Sequence, residues 1–123
     1  MNNVACIYVE TGDDLIVSFA VCGPDDPTKV ASLTLLRTPK YEQFLYEWER
    51  GVSVSFEAEK NDGDEVVLLR EVRYGAAEKV ITVRSDRATY ELDVKEMDPE
   101  ELKEMCGVLR KMNFDSSVKL EGV

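Results

Sequence analysis

The stretch LIVSFAVCGPDDPTKVASLTLLR, residues 15–37, holds two runs of alternating side chains on either side of a turn. Leu15, Val17, Phe19 and Val21 share one face of the first run. In the second, Leu33 and Leu35 face one way and Ser32 and Thr34 the other. Residues two apart lie on the same side of an extended chain, so this period predicts strands with one buried face. Gly23-Pro24-Asp25-Asp26-Pro27 ends the first run, because proline fixes φ and lacks the N–H a ladder needs, while Gly and Asp suit turns. Upstream, Val4, Cys6 and Tyr8 alternate with Ala5, Ile7 and Val9, and Thr11-Gly12-Asp13-Asp14 supplies a second turn. The first third of the chain therefore predicts a meander of three antiparallel strands.

Thr38 and Pro39 then suit the N-cap and first position of a helix. Tyr41, Phe44, Leu45 and Trp48 follow at i, i+3, i+4 and i+7, which predicts an aromatic face turned to the core, and Gly51 fits the stop. Alternation resumes with Val52, Val54, Phe56 and Ala58, and Lys60-Asn61-Asp62-Gly63-Asp64 reads as a hairpin loop. Further strands are predicted from about Glu65 to Tyr74, from Lys79 to Arg84 and from Ala88 to Val94.

The C-terminal helix carries the strongest local signal. Asp98 is the N-cap, Pro99 the first position and Glu101 the third, while Met97 and Leu102 stand where a hydrophobic staple would be. Leu102, Met105, Cys106, Leu109 and Met112 form one apolar stripe, and Asn113 suits a left-handed terminus. Laid end to end, the order is βββα-ββββα. It implies one α+β domain over residues 1–123, a curved, mostly antiparallel sheet of about seven strands with two helices packed on its apolar face. Residues 115–123 are expected to form a short strand or a frayed tail.

Composition narrows the chemistry. The chain of 123 residues is 44% apolar and 33% charged and contains no histidine. That removes Ser-His-Asp, Cys-His and zincin mechanisms together. Cys6, Cys22 and Cys106 are odd in number and widely spaced, so neither a disulfide framework nor a C-x-x-C motif is present, and all three are expected to be buried structural thiols. Asn61-Asp62-Gly63-Asp64-Glu65 gathers hard oxygen ligands but not in EF-hand order, and a hairpin turn accounts for it. No catalytic residue, metal or cofactor is expected. Apolar runs are short, and the N-terminus lacks a basic start and long apolar stretch, so a cytoplasmic protein without a membrane segment is expected.

Charge then directs the functional reading. The net charge is −10, and residues 1–65 hold 13 acids against 5 bases. Such a field aids solubility and attracts cationic surfaces while repelling phosphate backbones. The expected role is a non-enzymatic module that docks a basic protein partner through Asp13, Asp14, Asp25, Asp26, Glu42, Tyr46, Glu47 and Glu49. In size, charge and compartment the chain is similar to immunity proteins, which cover toxin enzymes that are often basic nucleases. One alternative is single-stranded nucleic-acid binding through Arg70, Arg73, Lys79, Arg84 and Arg87 beside Tyr74 and Tyr90, although Glu71, Glu78 and Asp86 interleave with them. Another is a structural role, as a homo-oligomer built through an exposed sheet face or edge.

Overall fold

Side chains at every second position turn to the inside of a single curled sheet. The computed structural model describes residues 2–23, 28–58 and 66–123. Among them run β1 (Asn2–Thr11), β2 (Leu15–Cys22), β3 (Val30–Arg37), β4 (Ser53–Phe56), β5 (Leu69–Gly75), β6 (Val80–Ser85), β7 (Thr89–Asp93), α1 (Pro99–Met112) and β8 (Lys119–Glu121). The strands lie in the order β4-β3-β2-β1-β7-β6-β5-β8. The meander forms as its alternation predicts, with Val17 opposite Leu35 and Phe19 opposite Leu33, all four buried.

The sheet is mixed rather than antiparallel throughout. β1 runs parallel to β7 at Asn2–Asn3, and β8 runs parallel to β5 at Glu71–Arg73. It also bends round on itself. Ser53 of β4 bridges Leu68, just ahead of β5, and the Val54 and Leu69 N–H groups donate to the Val67 and Val52 carbonyls at 2.9 and 2.8 Å. β4 and β8 thus share one side of β5. Across the interior, Phe56 of β4 meets Tyr90 of β7 edge to face at 5.4 Å, although those strands stand four places apart in the sheet.

Helix α1 lies against β1 and β2. The Asp98 carboxylate accepts the Glu100 N–H at 2.9 Å, and Leu102, Met105, Val108, Leu109 and Met112 are buried. Burying each side chain of this kind contributes about 1.5–3 kcal/mol, enough to fix the helix on the sheet. Asn113 caps the C-terminus without left-handed backbone (φ −94°). Instead its side chain bonds both the N–H and the carbonyl of Val118, and Ser116 takes the positive φ of 58°. That clasp leads the chain into β8, so residues 119–121 are a strand and not a frayed tail.

The expected first helix is absent. Leu36 of β3 pairs with Ser53 of β4, so residues 37–52 must leave and return to one rung of the ladder. Within this segment Glu42 is held inward by two hydrogen bonds from Arg37 of β3, at 2.7 and 2.8 Å, so a side chain that the expected helix turns to water is fixed toward the sheet. The segment folds instead as two 3-10 turns, Pro39–Phe44 and Glu47–Glu49, separated by extended backbone at Leu45 and Tyr46. Among the described residues one α-helix, not two, packs on the sheet. The predicted loop 60–64 lies outside the described residues.

Close approach makes one glycine indispensable. Gly122 has φ +74°, and a Cβ there would collide with the Tyr74 carbonyl oxygen of β5. Gly122→Ala is expected to pull β8 off β5 and cost about 1–3 kcal/mol, measured as a lower urea midpoint.

Candidate functional site: an exposed aromatic segment held by a buried arginine

Alternation along β3 carries past Leu33 and Leu35 to Arg37, which turns its side chain inward and is 2% exposed. All five guanidinium N–H groups find acceptors. Nε and Nη2 donate to Glu42 at 2.7 and 2.8 Å, Nη1 and Nη2 to Asp115 at 2.9 and 2.8 Å, and Nη1 also to the Met112 carbonyl at 2.8 Å. The Phe114 ring covers the guanidinium carbon at 4.1 Å. Burial alone would lower the Arg37 pKa, but the hydrogen bonds and charges of Glu42 and Asp115 outweigh it and hold the value above normal. The Arg37 hydrogen bonds, opposed by partial burial and aided by Ser117, hold the Asp115 carboxyl far below the usual carboxylate range.

This cluster anchors the segment that should have been a helix. Glu42 fixes the first 3-10 turn from within. Asp14 accepts the Thr38 hydroxyl at 2.7 Å, and Asp13 lies 3.6 Å from the Lys40 ammonium, so the β1–β2 turn braces its start. Tyr46 and Glu49 exchange hydrogen bonds, the Tyr46 N–H to the Glu49 carboxylate and the Glu49 N–H to the Tyr46 carbonyl. With no continuous helix to seat them, the aromatic residues face outward. Phe44 is 75% and Trp48 71% exposed, and Tyr41, Leu45 and Tyr46 are exposed beside them. The Tyr46 and Trp48 rings stack at 4.6 Å, 3° from parallel. Phe114, over the arginine, is exposed too.

The structure sorts the acidic residues expected to meet a partner. Tyr46 and Glu47 are exposed on the aromatic segment, while Glu49 is half-buried and accepts the Tyr46 N–H. Asp13 and Asp14 adjoin its start. Glu42, only 13% exposed and bound to Arg37, is an internal strut rather than a contact residue. Asp25 and Asp26 lie outside the described residues; the strand ends they join pair as Cys22 with Val30, at the far end of β2 from the Thr11–Leu15 pair.

Two residues of the basic group are held in ion pairs. Arg70 bonds Asp86, and Arg73 bonds Glu121 at 3.0 Å and lies near Glu71. The Arg70 hydrogen bond, opposed by partial burial, lowers the Asp86 pKa. Arg84, Arg87 and Lys79 are exposed, but Tyr90 is buried against Phe56 and offers no open ring face beside them. Among the described residues no group of three His, Cys, Asp or Glu side chains is placed to hold a metal, and no helix is long and apolar enough to cross a membrane.

Sequence reasoning missed two features. Arg37 was signalled by the same alternation that placed Leu33 and Leu35 inside. The outward turn of Phe44 and Trp48 had no local signal. The cysteines also differ from expectation: Cys6 is exposed, Cys22 is half-buried, and half-buried Cys106 has its thiol pKa raised by burial.

Arg37→Met should cost about 3 kcal/mol, because it leaves two carboxylates without their partner. Asp115→Asn should cost about 1–2 kcal/mol at neutral pH, since the wild-type carboxylate is 40% exposed. A carboxyl whose folded pKa is depressed stabilises above its unfolded pKa, about 3.9, and loses that contribution as pH falls below it. The stability gap between wild type and Asp115→Asn, measured by urea unfolding from pH 7 to pH 2, should narrow below about pH 4. A thiol reagent should modify Cys6 first and Cys106 well after it, as read by mass spectrometry of the digested protein.

Comparison of the chain with family models, with curated proteins and with solved structures returns no match.

Proposed function

We propose that this chain is a non-enzymatic binding module that docks a cationic protein through the segment Tyr41–Trp48. The observation that carries this reading is the cluster of exposed aromatic side chains on a segment braced from beneath by Arg37. Large aromatic residues anchor interfaces because they bury much area with few rotatable bonds, and bracing lowers the ordering cost of association. Glu47 and Glu49 beside Tyr46 and Trp48, on a chain of net charge −10, favour a partner rich in Lys and Arg. An immunity-type inhibitor that covers the active site of a basic enzyme, such as a toxin nuclease, fits this chemistry.

Trp48 is the single tryptophan, so its fluorescence reports the segment directly. Free protein should show solvent-like emission that acrylamide quenches readily, and partner binding should shift it to the blue and reduce quenching. Affinity capture from the source lysate at low and moderate salt should retain a stoichiometric basic protein. Phe44→Ala with Trp48→Ala should abolish retention while leaving the urea midpoint within about 0.5 kcal/mol of wild type, as for exposed positions generally. Retention unchanged in that double variant would refute the assignment.

A further inference from the structure

We infer that the second half of β1, together with the flank of α1, forms a strand-addition groove for an extended basic segment of the partner. This inference rests on the partner-binding role proposed above and names how that partner is held.

β1 is paired with β2 along its length, up to Thr11 opposite Leu15. On its other side the pairing with β7 stops at Asn3. Beyond that point β7 ends and the chain turns through 94–98 into α1, so Ala5–Thr11 keep an open edge. Among the described residues, no hydrogen bond outside the sheet ladders satisfies the backbone of residues 5–11. An unpaired row of N–H and C=O groups is a template for one more strand, and proteins usually blunt it with charge, proline or bulges. Here Cys6-Ile7-Tyr8-Val9 carries neither charge nor proline, and the one register shift, between Val4 and Cys6, precedes it.

The helix supplies the opposite wall. A groove of about 310 Å³ runs between β1 and α1, lined by Val9, Thr11, Glu104, Gly107, Val108 and Lys111. No atom lies within 4 Å of where a Gly107 Cβ would stand, so the wall is notched at that point. A strand laid between an open edge and a helix gains ladder hydrogen bonds, while alternate side chains enter the groove. Its floor, Val9 and Val108, suits small apolar side chains. Glu104 and Lys111 balance in the lining and Glu10 stands on the outer face of β1, where the alternate side chains of an added strand would lie; with a molecule that carries −10 this disfavours a second copy and favours alternating Lys or Arg. The open edge ends at the turn where Asp13 and Asp14 hold Lys40 and Thr38, so one partner can reach both the groove and the aromatic segment.

The probe is an end-capped peptide of alternating valine and lysine, eight residues long, titrated into the full chain with residue-resolved hydrogen exchange as the readout. Outward-facing amides within 5–11 should slow at least tenfold. The same peptide N-methylated along one edge, which keeps the charge but cannot complete a ladder, should lose that protection. Gly107→Gln, which fills the notch at a helical position where glycine is disfavoured, should weaken binding at least fivefold without lowering the urea midpoint. Protection of 39–49 instead of 5–11, or equal binding of the N-methylated peptide, would overturn the groove. A captured partner that protects 39–49 but not 5–11 would also remove the groove and keep the binding-module reading. Peptide protection of 5–11 in a chain that captures no partner would keep the groove and remove that reading.

Discussion

The guanidinium of Arg37 joins parts of the chain far apart in sequence: the end of β3, the first 3-10 turn, the last carbonyl of α1 and the turn that leads to β8. Burying that charge is costly, and the cost is offset only because every donor is met and two carboxylates face it. Losing any one partner leaves the others with unsatisfied groups, so the contacts stand or fall together. The pairing of β8 with β5, the seating of the α1 terminus and the path of residues 39–49 all depend on this one buried side chain.

The path of residues 37–52 is the second constraint, and it converts a core-like sequence into a surface. Residues 37–52 are bound to begin and end on one rung of the β3–β4 ladder. Glu42, tied to Arg37, takes the inward position, and a helix with Phe44 and Trp48 on its inner face does not form. Once the backbone breaks at Leu45 and Tyr46, no single face exists to collect the rings, and the interior is already filled by Phe56, Tyr90 and the stripe of α1. Exposed aromatic area then persists where a monomer would ordinarily bury it.

The same curling produces the other open feature. β1 is longer than β7, and β7 ends where the chain departs for α1, so the sheet is sealed at one end of β1 and unsealed at the other. At the opposite seam β4 and β8 divide β5 between them and close the gap by a bridge. The curled sheet thus has one closed seam and one parted seam, and the parted one ends beside the turn that braces the aromatic segment.

Local sequence was enough to determine most elements. Two-residue alternation located the first four strands, including the inward face of Phe19, Leu33 and Val54, because burial on one side of a strand imposes that period directly, and three further strands were placed in approximate range. Asp98, Pro99 and the stripe from Leu102 to Met112 placed α1 for the same reason, each signal acting within a turn or two of chain. The absence of histidine and the excess of acid narrowed the chemistry before any fold was known. Tertiary structure alone decided the rest. The path of 39–49 followed the inward turn of Arg37, and Glu42 became a strut because it and Asp115, 78 positions from Arg37, converge on the same guanidinium. The open edge of β1 likewise arises from strand order. Contacts between residues distant in sequence set those features, and no local period encodes them.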